Sequence, residues 1–183
     1  MVALQEATIE DLFLHDGKAE IVNGEIVFMP PTGEAPGYAG DEIFVSLRQY
    51  AREEGIGKVV SDNKAFKVEL PHRKSFSPDA AYYIARSAGM KYIEGSPLFA
   101  VEVRSENDYG PRAERDMSAK RDDYFAAGTL VVWDVDLLSE DVVRVYRVSD
   151  PENPTIYRRG EIAEAEPAVP GWRMAVDDLF PNQ

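Results

Sequence analysis

The stretch Leu98–Val103, with the sequence LFAVEV, is the most hydrophobic strand pattern in the chain and carries one charge, Glu102. Apolar residues at both odd and even positions are typical of a β-strand that is buried on both faces of a sheet. An unpaired carboxylate in such a strand costs several kcal/mol or raises its own pKa. We therefore expect Glu102 to have a function, the alternative being a structural ion pair with a cation such as Arg104.

The segments before this strand predict a β-hairpin and a long helix. Thr8 followed by Asp11 resembles a capping box that opens a short helix over 9–14. Asn-Gly at 23–24 separates two β-rich runs, which indicates a hairpin because both turn residues need positive φ. Helical spacing then predicts a helix over 38–53 whose inward face carries Ile43, Phe44, Leu47, Tyr50 and Ala51.

The remaining pattern predicts a sheet with a second helix. The expected strands are 58–61, 65–70, 79–84, 98–103, 130–135 and 142–148, and the second helix covers 112–127. Trp172 and the pair Leu179-Phe180 in the tail are expected to pack against the body. This order predicts an α/β or α+β domain built on a mixed sheet with helices against it.

Two further charges stand where burial is expected. Asp79 follows Pro78 at the start of a strand, although Pro-Asp by itself is often turn chemistry. Lys120 lies in the middle of the inward stripe of the second helix, and its alternative role is a snorkelling side chain. The stripe consists of Ala113, Met117, Lys120, Tyr124 and Ala127, whereas Arg115, Asp116, Asp122 and Asp123 are expected in solvent.

The composition limits the chemistry that is available. The 183 residues include no cysteine, which excludes disulfides and thiolate sites, and the formal net charge is −13, which weighs against loose binding to phosphate backbones. The N-terminal stretch lacks the features of a secretory signal, and no apolar run approaches the roughly 20 residues that span a bilayer. These patterns predict a soluble cytoplasmic protein.

Two carboxylates and an inward ammonium suit metal-assisted hydrolysis of a phosphodiester. Two ionised carboxylates about 4 Å apart repel by roughly 4 kcal/mol at an effective dielectric of 20, so they favour a bound cation. Oxygen ligands without histidine or thiolate favour Mg²⁺, with Mn²⁺ as a substitute. The metal would generate a hydroxide from bound water, and Lys120 would orient that water or offset charge on the phosphorus.

These residues resemble the PD-(D/E)xK motif of restriction-endonuclease-like nucleases, through Pro78-Asp79 and residues 101–104. More specifically, the chain is similar to the Uma-type restriction endonucleases over nearly its full length. The segments that carry this resemblance are 19–25, 29–33, 78–79, 101–103 with Ser105, Lys120 with Tyr124 and 127–128, and 132–133 with Asp136.

The resemblance implies a restriction-endonuclease-like α-β-β-β-α-β core with an N-terminal hairpin. It implies one domain over 1–183, with the helix and hairpin in 1–35, the nuclease core in 36–150 and a C-terminal extension in 151–183. It also implies that Asp79, Glu102 and Lys120 are catalytic, and that Asp79, Glu102 and the carbonyl of Val103 bind Mg²⁺. The expected partners are DNA and a second copy of the chain, with no membrane.

Several positions depart from this pattern or extend it. Arg104 stands where the superfamily motif has its lysine, and arginine cannot act as a base. Gly40 stands where the Uma-type family often has a histidine. Glu20 and Glu42 are candidates for a third acidic ligand. Asp134 and Asp136 are expected in a turn after their strand, and the aromatic residues Tyr82, Tyr83, Trp133 and Trp172 are expected in the core.

Three functions remain open on these residues. The first is a Mg²⁺-dependent DNA endonuclease of weak sequence specificity, since the chain leaves little room for base-reading elements. The second is a non-cleaving module of the same fold that binds nucleic acid or protein, which the acidic balance favours. The third is a structural ion-pair cluster in an unrelated mixed-sheet domain.

Overall fold

The computed structural model describes residues 6–85 and 89–181, so part of the N-terminal stretch considered for a signal lies outside the described residues. The described elements are two α-helices, thirteen strands and two short 3-10 helices. The helices are α1 (Glu34–Glu54) and α2 (Pro111–Ala127), with 3-10 turns at Ile9–Leu14 and Val176–Leu179. The strands are β1 (Ala19–Val22), β2 (Glu25–Phe28), β3 (Lys58–Ser61), β4 (Phe66–Lys67), β5 (Ser75–Phe76), β6 (Ala80–Tyr83), β7 (Ile93–Glu94), β8 (Phe99–Val103), β9 (Val131–Val135), β10 (Val143–Arg147), β11 (Asp150–Tyr157), β12 (Ile162–Glu164) and β13 (Arg173–Ala175).

The central layer is a six-stranded mixed sheet in the order β11-β10-β9-β8-β6-β3. Strands β8 and β9 are parallel, and the other neighbouring pairs are antiparallel. A parallel pair needs a crossover, which here is α2. The series α1-β3-β6-β8-α2-β9 has the expected α-β-β-β-α-β order, so the predicted fold class is confirmed.

Strand β8 is apolar on both parities because each face of the sheet is covered. Phe99, Val101 and Val103 belong to a core formed with α1 and the C-terminal segment. Ala100 faces the opposite side, where it joins a second cluster with Tyr124 of α2. Glu102 shares the face of Ala100, which places its carboxylate on the α2 side of the sheet.

The N-terminal hairpin and its turn follow the sequence prediction. Asn23 and Gly24 have φ of 53° and 76°, as a type I′ turn requires, and β1 pairs with β2 in register. Thr8 and Asp11 form the predicted capping box, although the helix that they open is of the 3-10 type. Helix α1 begins at Glu34 rather than Tyr38 because Pro36 lies in the first turn, where proline is tolerated.

The C-terminal segment completes the first core, as expected. Trp172 is 3% exposed and its ring lies 5.1 Å from that of Trp133 and 5.6 Å from that of Phe99. Leu179 is also buried. The short strands β5, β7 and β11 to β13 were not predicted, because two- or three-residue strands and the proline-containing β11 lack a clear alternation.

The turn between α1 and β3 has a close approach that only glycine allows. A Cβ at Gly57, where φ is +78°, would lie 2.3 Å from ring atoms of the buried Tyr82. Gly55 has a similar φ of +66° but no neighbouring atom within 4 Å of such a Cβ. We expect Gly57→Ala to lower the free energy of unfolding by about 3 kcal/mol and Gly55→Ala by about 1 kcal/mol.

Urea unfolding followed by tryptophan fluorescence measures both variants under the same conditions. Gly55→Ala is the matched control, because it carries the backbone strain without the overlap. Equal losses in the two variants would show that Tyr82 moves away at no cost, which would contradict the expectation.

Candidate active site

Asp79 and Glu102 are brought together by neighbouring strands. Strands β6 and β8 are antiparallel with Ala80 opposite Val101, which puts Asp79, just before β6, beside the end of β8. The backbone N–H of Val103 donates to Oδ2 of Asp79 at 2.7 Å, and the N–H of Asp79 donates to the carbonyl of Val101 at 2.9 Å. The predicted placement on adjacent strands is therefore confirmed, and the Asp79 carboxylate is fixed from the backbone.

Lys120 enters from α2 and contacts two carboxylates. Its Nζ lies 2.9 Å from Oε1 of Glu102 and 2.9 Å from Oε1 of Glu20, with 16% of the side chain exposed. Burial alone would lower the pKa of Lys120, but the two carboxylates outweigh it and the pKa lies above its ordinary value. The ammonium is thus shared between two acids and does not snorkel to solvent, which answers the alternative raised by the sequence.

Glu20 is the third acid of the cluster and one of the two predicted extra candidates. It is buried on β1, where Oε1 also accepts the backbone N–H of Ser77 at 2.8 Å and Oε2 accepts Nη1 of Arg73 at 2.6 Å. Burial opposes its ionisation, yet Lys120 and Arg73 outweigh that effect and hold the pKa of Glu20 below its ordinary value. Glu42 does not line the cavity around these residues.

Tyr124 orients the carboxylate of Glu102. Its hydroxyl donates to Oε1 of Glu102 at 2.6 Å, and its ring is stacked on Phe76 at 4.0 Å between centroids. Burial and the nearby carboxylates of Glu102 and Glu20 raise the pKa of Tyr124 well above its ordinary value, so the phenol keeps its proton. Lys120 and Tyr124 of the predicted stripe on α2 therefore do face inward, and Tyr124 is part of the polar cluster.

Lys18 forms ion pairs that were not predicted from the sequence. Its Nζ lies 2.6 Å from Oδ1 of Asp79 and 2.7 Å from Oδ1 of Asp62. Burial alone would lower the pKa of Lys18, but Asp79 and Glu102 raise it above its ordinary value. The contact joins residues 61 positions apart, and no local pattern marks Lys18 as inward.

The surroundings of Glu102 disfavour its charged form. Burial raises its pKa above the ordinary value; Lys120 opposes this shift, while the carboxylates of Asp79 and Glu20 add to it. Such crowding of negative charge is relieved by a further cation. The side chain is a quarter exposed, so a cation can approach it from the cavity.

The cavity in front of these residues has a volume of about 420 Å³. Its lining includes the charged residues Lys18, Glu20, Asp79, Glu102 and Lys120 described above. The hairpin and the segment after it contribute apolar residues to the lining, namely Val22, Val27, Met29, Pro30 and Pro31. A concave site in which polar groups converge beside apolar lining residues is typical of ligand pockets.

Arg104 does not pair with Glu102. Its guanidinium is held by Asp134 through two hydrogen bonds of 2.8 Å and by Glu114 of α2, and it is 7% exposed. Asp134 lies within β9 and is buried, so the expectation of a turn is wrong for this residue. Asp136 does lie in the turn after β9, where its Oδ1 accepts the N–H of Leu138 and the hydroxyl of Tyr109.

The sequence model of the Uma2 family, described as "Putative restriction endonuclease", matches residues 7–177. The chain belongs to this family. Its structure is similar to a crystal structure from Anabaena variabilis that is described as a putative nuclease belonging to DUF820. The TM-score is 0.72 at 16% sequence identity, covering 95% of this chain and 97% of that one. No curated protein is significantly similar in sequence.

The donor set fits a hard divalent cation. Asp79 and Glu102 offer carboxylate oxygens on adjacent strands, and oxygen ligands suit Mg²⁺. Among the described residues, no three acidic or histidine side chains already surround one point, and Lys18 and Lys120 contact the two acids. A cation here would therefore have two protein carboxylates and complete its shell with the Val103 carbonyl or water, as Mg²⁺ commonly does.

The departure from the family pattern at Gly40 has a structural account. Gly40 is buried in α1, and a Cβ at this position would lie 3.7 Å from Cβ of Asp79, so it packs directly behind this acid.

Asp123, expected in solvent, is buried and pairs with Arg73 at 2.7 Å and His72 at 2.6 Å. Helical spacing did not predict the burial of Asp123, because the partners of Asp123 come from the segment before β5, far away in sequence. The predicted core aromatics Trp133, Trp172 and Tyr82 are buried, and Tyr83 is half-buried.

The buried ion pair of Arg104 and Asp134 lies beside the site. Its contribution to the free energy of unfolding can be compared with that of an exposed ion pair. We expect Asp134→Ala to lower the free energy of unfolding by about 3 kcal/mol, because a buried guanidinium loses its bidentate partner. Asp116 pairs with Arg112 at 3.7 Å on the surface of α2, and we expect Asp116→Ala to change stability by less than about 0.5 kcal/mol. Chemical denaturation of both variants measures the difference, and similar losses would contradict it.

Proposed function

We propose that this protein is a Mg²⁺-dependent endonuclease that hydrolyses phosphodiester bonds in DNA. The observation that carries the proposal is the convergence of Asp79 and Glu102 from adjacent strands on one cavity, with the ammonium of Lys120 at 2.9 Å from Glu102. Membership of the Uma2 family, and a fold shared with the protein from Anabaena variabilis that is described as a putative nuclease, support a nuclease in general.

Each side chain has a role that follows from its contacts. Asp79 and Glu102, with the carbonyl of Val103, would hold the metal, which when bound would lower the pKa of a coordinated water to supply hydroxide. Lys120 donates hydrogen bonds as an ammonium and would orient water or offset charge on phosphate oxygens. Glu20 positions Lys120, and the Tyr124 hydroxyl positions Glu102.

The described cations lining the cavity are largely neutralised by carboxylates, which bears on the substrate. Lys18, Arg73 and Arg104 each contact two acidic side chains. Binding of a long duplex by phosphate contacts alone is therefore disfavoured at this surface. We propose cleavage of weak sequence specificity in the cytoplasm, by a homodimer in which two sites act on two strands.

One observation favours a second candidate, a non-cleaving module that binds nucleic acid or a protein. The acids of the cluster are already paired, Asp79 with Lys18, Glu102 with Lys120 and Glu20 with Arg73. A cluster balanced in this way can be stable without metal. Divalent-metal binding that depends on Asp79, together with cleavage of DNA, distinguishes the two candidates.

We expect Asp79→Asn, Glu102→Gln and Lys120→Met each to reduce the Mg²⁺-dependent nicking rate of plasmid DNA by at least about 100-fold. The two carboxylate variants remove ligand charge, so they should also abolish the anomalous Mn²⁺ peak in soaked crystals. Lys120→Met should keep that peak. The readouts are the rate of conversion of supercoiled to open-circular plasmid and the anomalous difference map.

Glu42→Gln is the matched control, because Glu42 lies on α1 outside the cavity, and it should retain the wild-type rate. Wild-type Mn²⁺ binding by Asp79→Asn would exclude the proposed metal site. A Mn²⁺ peak in wild-type crystals without cleavage of any single- or double-stranded DNA would favour the binding module.

A further inference from the structure

The ammonium of Lys18 lies between two carboxylates at the edge of the cluster. It precedes β1, whereas Asp62 follows β3 and Asp79 precedes β6, so three separate segments meet at one nitrogen. The distances are 2.7 Å to Asp62 and 2.6 Å to Asp79, and 12% of the Lys18 side chain is exposed. Ordering a lysine side chain costs conformational entropy, and the contacts of a mostly buried lysine must offset this cost. The two ion pairs of Lys18 therefore hold its side chain in place.

The oxygen of Asp79 that Lys18 contacts is the one that the backbone leaves free. Oδ2 is occupied by the N–H of Val103, and Oδ1 accepts only from Lys18 among the hydrogen bonds of the described residues. The cavity that Glu102 faces is lined by Lys18 as well. A cation that binds Asp79 through Oδ1 therefore meets the positive charge of Lys18 at the position that it needs.

Asp62 is suited to keep the ammonium when Asp79 is occupied. Its carboxylate is fixed independently of Lys18, because Oδ1 accepts the N–H of Asn63 at 2.7 Å and Oδ2 accepts the hydroxyl of Thr32 at 3.0 Å. Because both carboxylate oxygens contact the same nitrogen, Lys18 would need only a small side-chain movement to leave Asp79 and retain Asp62. The charge of Lys18 would then remain paired while Oδ1 of Asp79 becomes available.

We propose that Lys18 is a built-in counter-ion of Asp79 that a divalent cation displaces, and that Asp62 holds the displaced ammonium. This inference rests on the metal site of the proposed function. It makes Lys18 a positioning residue that sets the metal affinity, and the cation-free cluster is the form that Lys18 stabilises. A lysine that merely ties the hairpin to the core would contribute to stability without opposing metal.

Substitutions of Lys18 and of Asp62 are expected to change the Mn²⁺ affinity in opposite directions. We expect Lys18→Met to bind Mn²⁺ about tenfold more tightly than the wild type, because the competing charge is gone. We expect Asp62→Asn to bind about threefold more weakly, because Lys18 then loses the carboxylate that would hold it away from Asp79. Isothermal titration calorimetry with MnCl₂, checked by the electron paramagnetic resonance signal of free Mn²⁺, measures each dissociation constant without any substrate.

Controls separate charge from packing. Lys18→Arg keeps the positive charge and should stay within about threefold of the wild-type affinity. Lys18→Gln removes the charge but can still hydrogen-bond both acids, and it should follow Lys18→Met; it also serves if the methionine variant does not fold. In the Lys18→Met background, Asp62→Asn should have a smaller effect than in the wild type, because Asp62 acts through Lys18.

The outcomes distinguish this inference from the proposed function. Tighter binding by Lys18→Met and Lys18→Gln supports the inference, including the case in which only these variants bind Mn²⁺. A wild type that binds Mn²⁺, together with uncharged variants of equal or weaker affinity, overturns the inference and leaves the metal site in place. No binding by the wild type or either uncharged variant at millimolar Mn²⁺ overturns the metal site itself.

Discussion

The electrostatic balance of three buried or half-buried carboxylates is the constraint on which this structure depends. Glu20 on β1, Asp79 just before β6 and Glu102 on β8 line one cavity, where their mutual repulsion would be unfavourable without cations. Lys18 and Lys120 supply positive charge from the start of the hairpin and from α2. The position of α2 over the sheet is therefore tied to the charge of the site.

The same contacts attach the hairpin to the core. A two-stranded hairpin is only marginally stable by itself, so β1 and β2 need partners. Glu20 binds Arg73 and Lys120, the N–H of Ile21 donates to the hydroxyl of Ser75, and the N–H of Lys74 donates to the carbonyl of Ile21. Docking of the hairpin and assembly of the acidic cluster are thus one event, and the hairpin also provides the apolar wall of the cavity.

A second ion-pair group beside the cluster explains why Arg104, although close in sequence to Glu102, does not pair with it. Arg104 shares the sheet face of Glu102, yet Asp134 on the parallel neighbour β9 and Glu114 on α2 hold its guanidinium. A bidentate pair of this kind fixes the direction of the side chain. The cation in contact with Glu102 is therefore Lys120.

The sequence by itself determined the elements whose patterns are local. Alternation, helical spacing and the Asn-Gly turn predicted the hairpin, both helices and the main strands, and a charge within the apolar strand pointed to Glu102. Helical periodicity also placed Lys120 inward. Only the tertiary structure decided the partners: that Lys18 reaches Asp79 and Asp62, and that Asp123 and Asp134 are buried against arginines. The physical reason is that an ion pair depends on distance in space, and residues 30 or more positions apart, such as Arg104 and Asp134 or Arg73 and Asp123, leave no periodic signal in the chain.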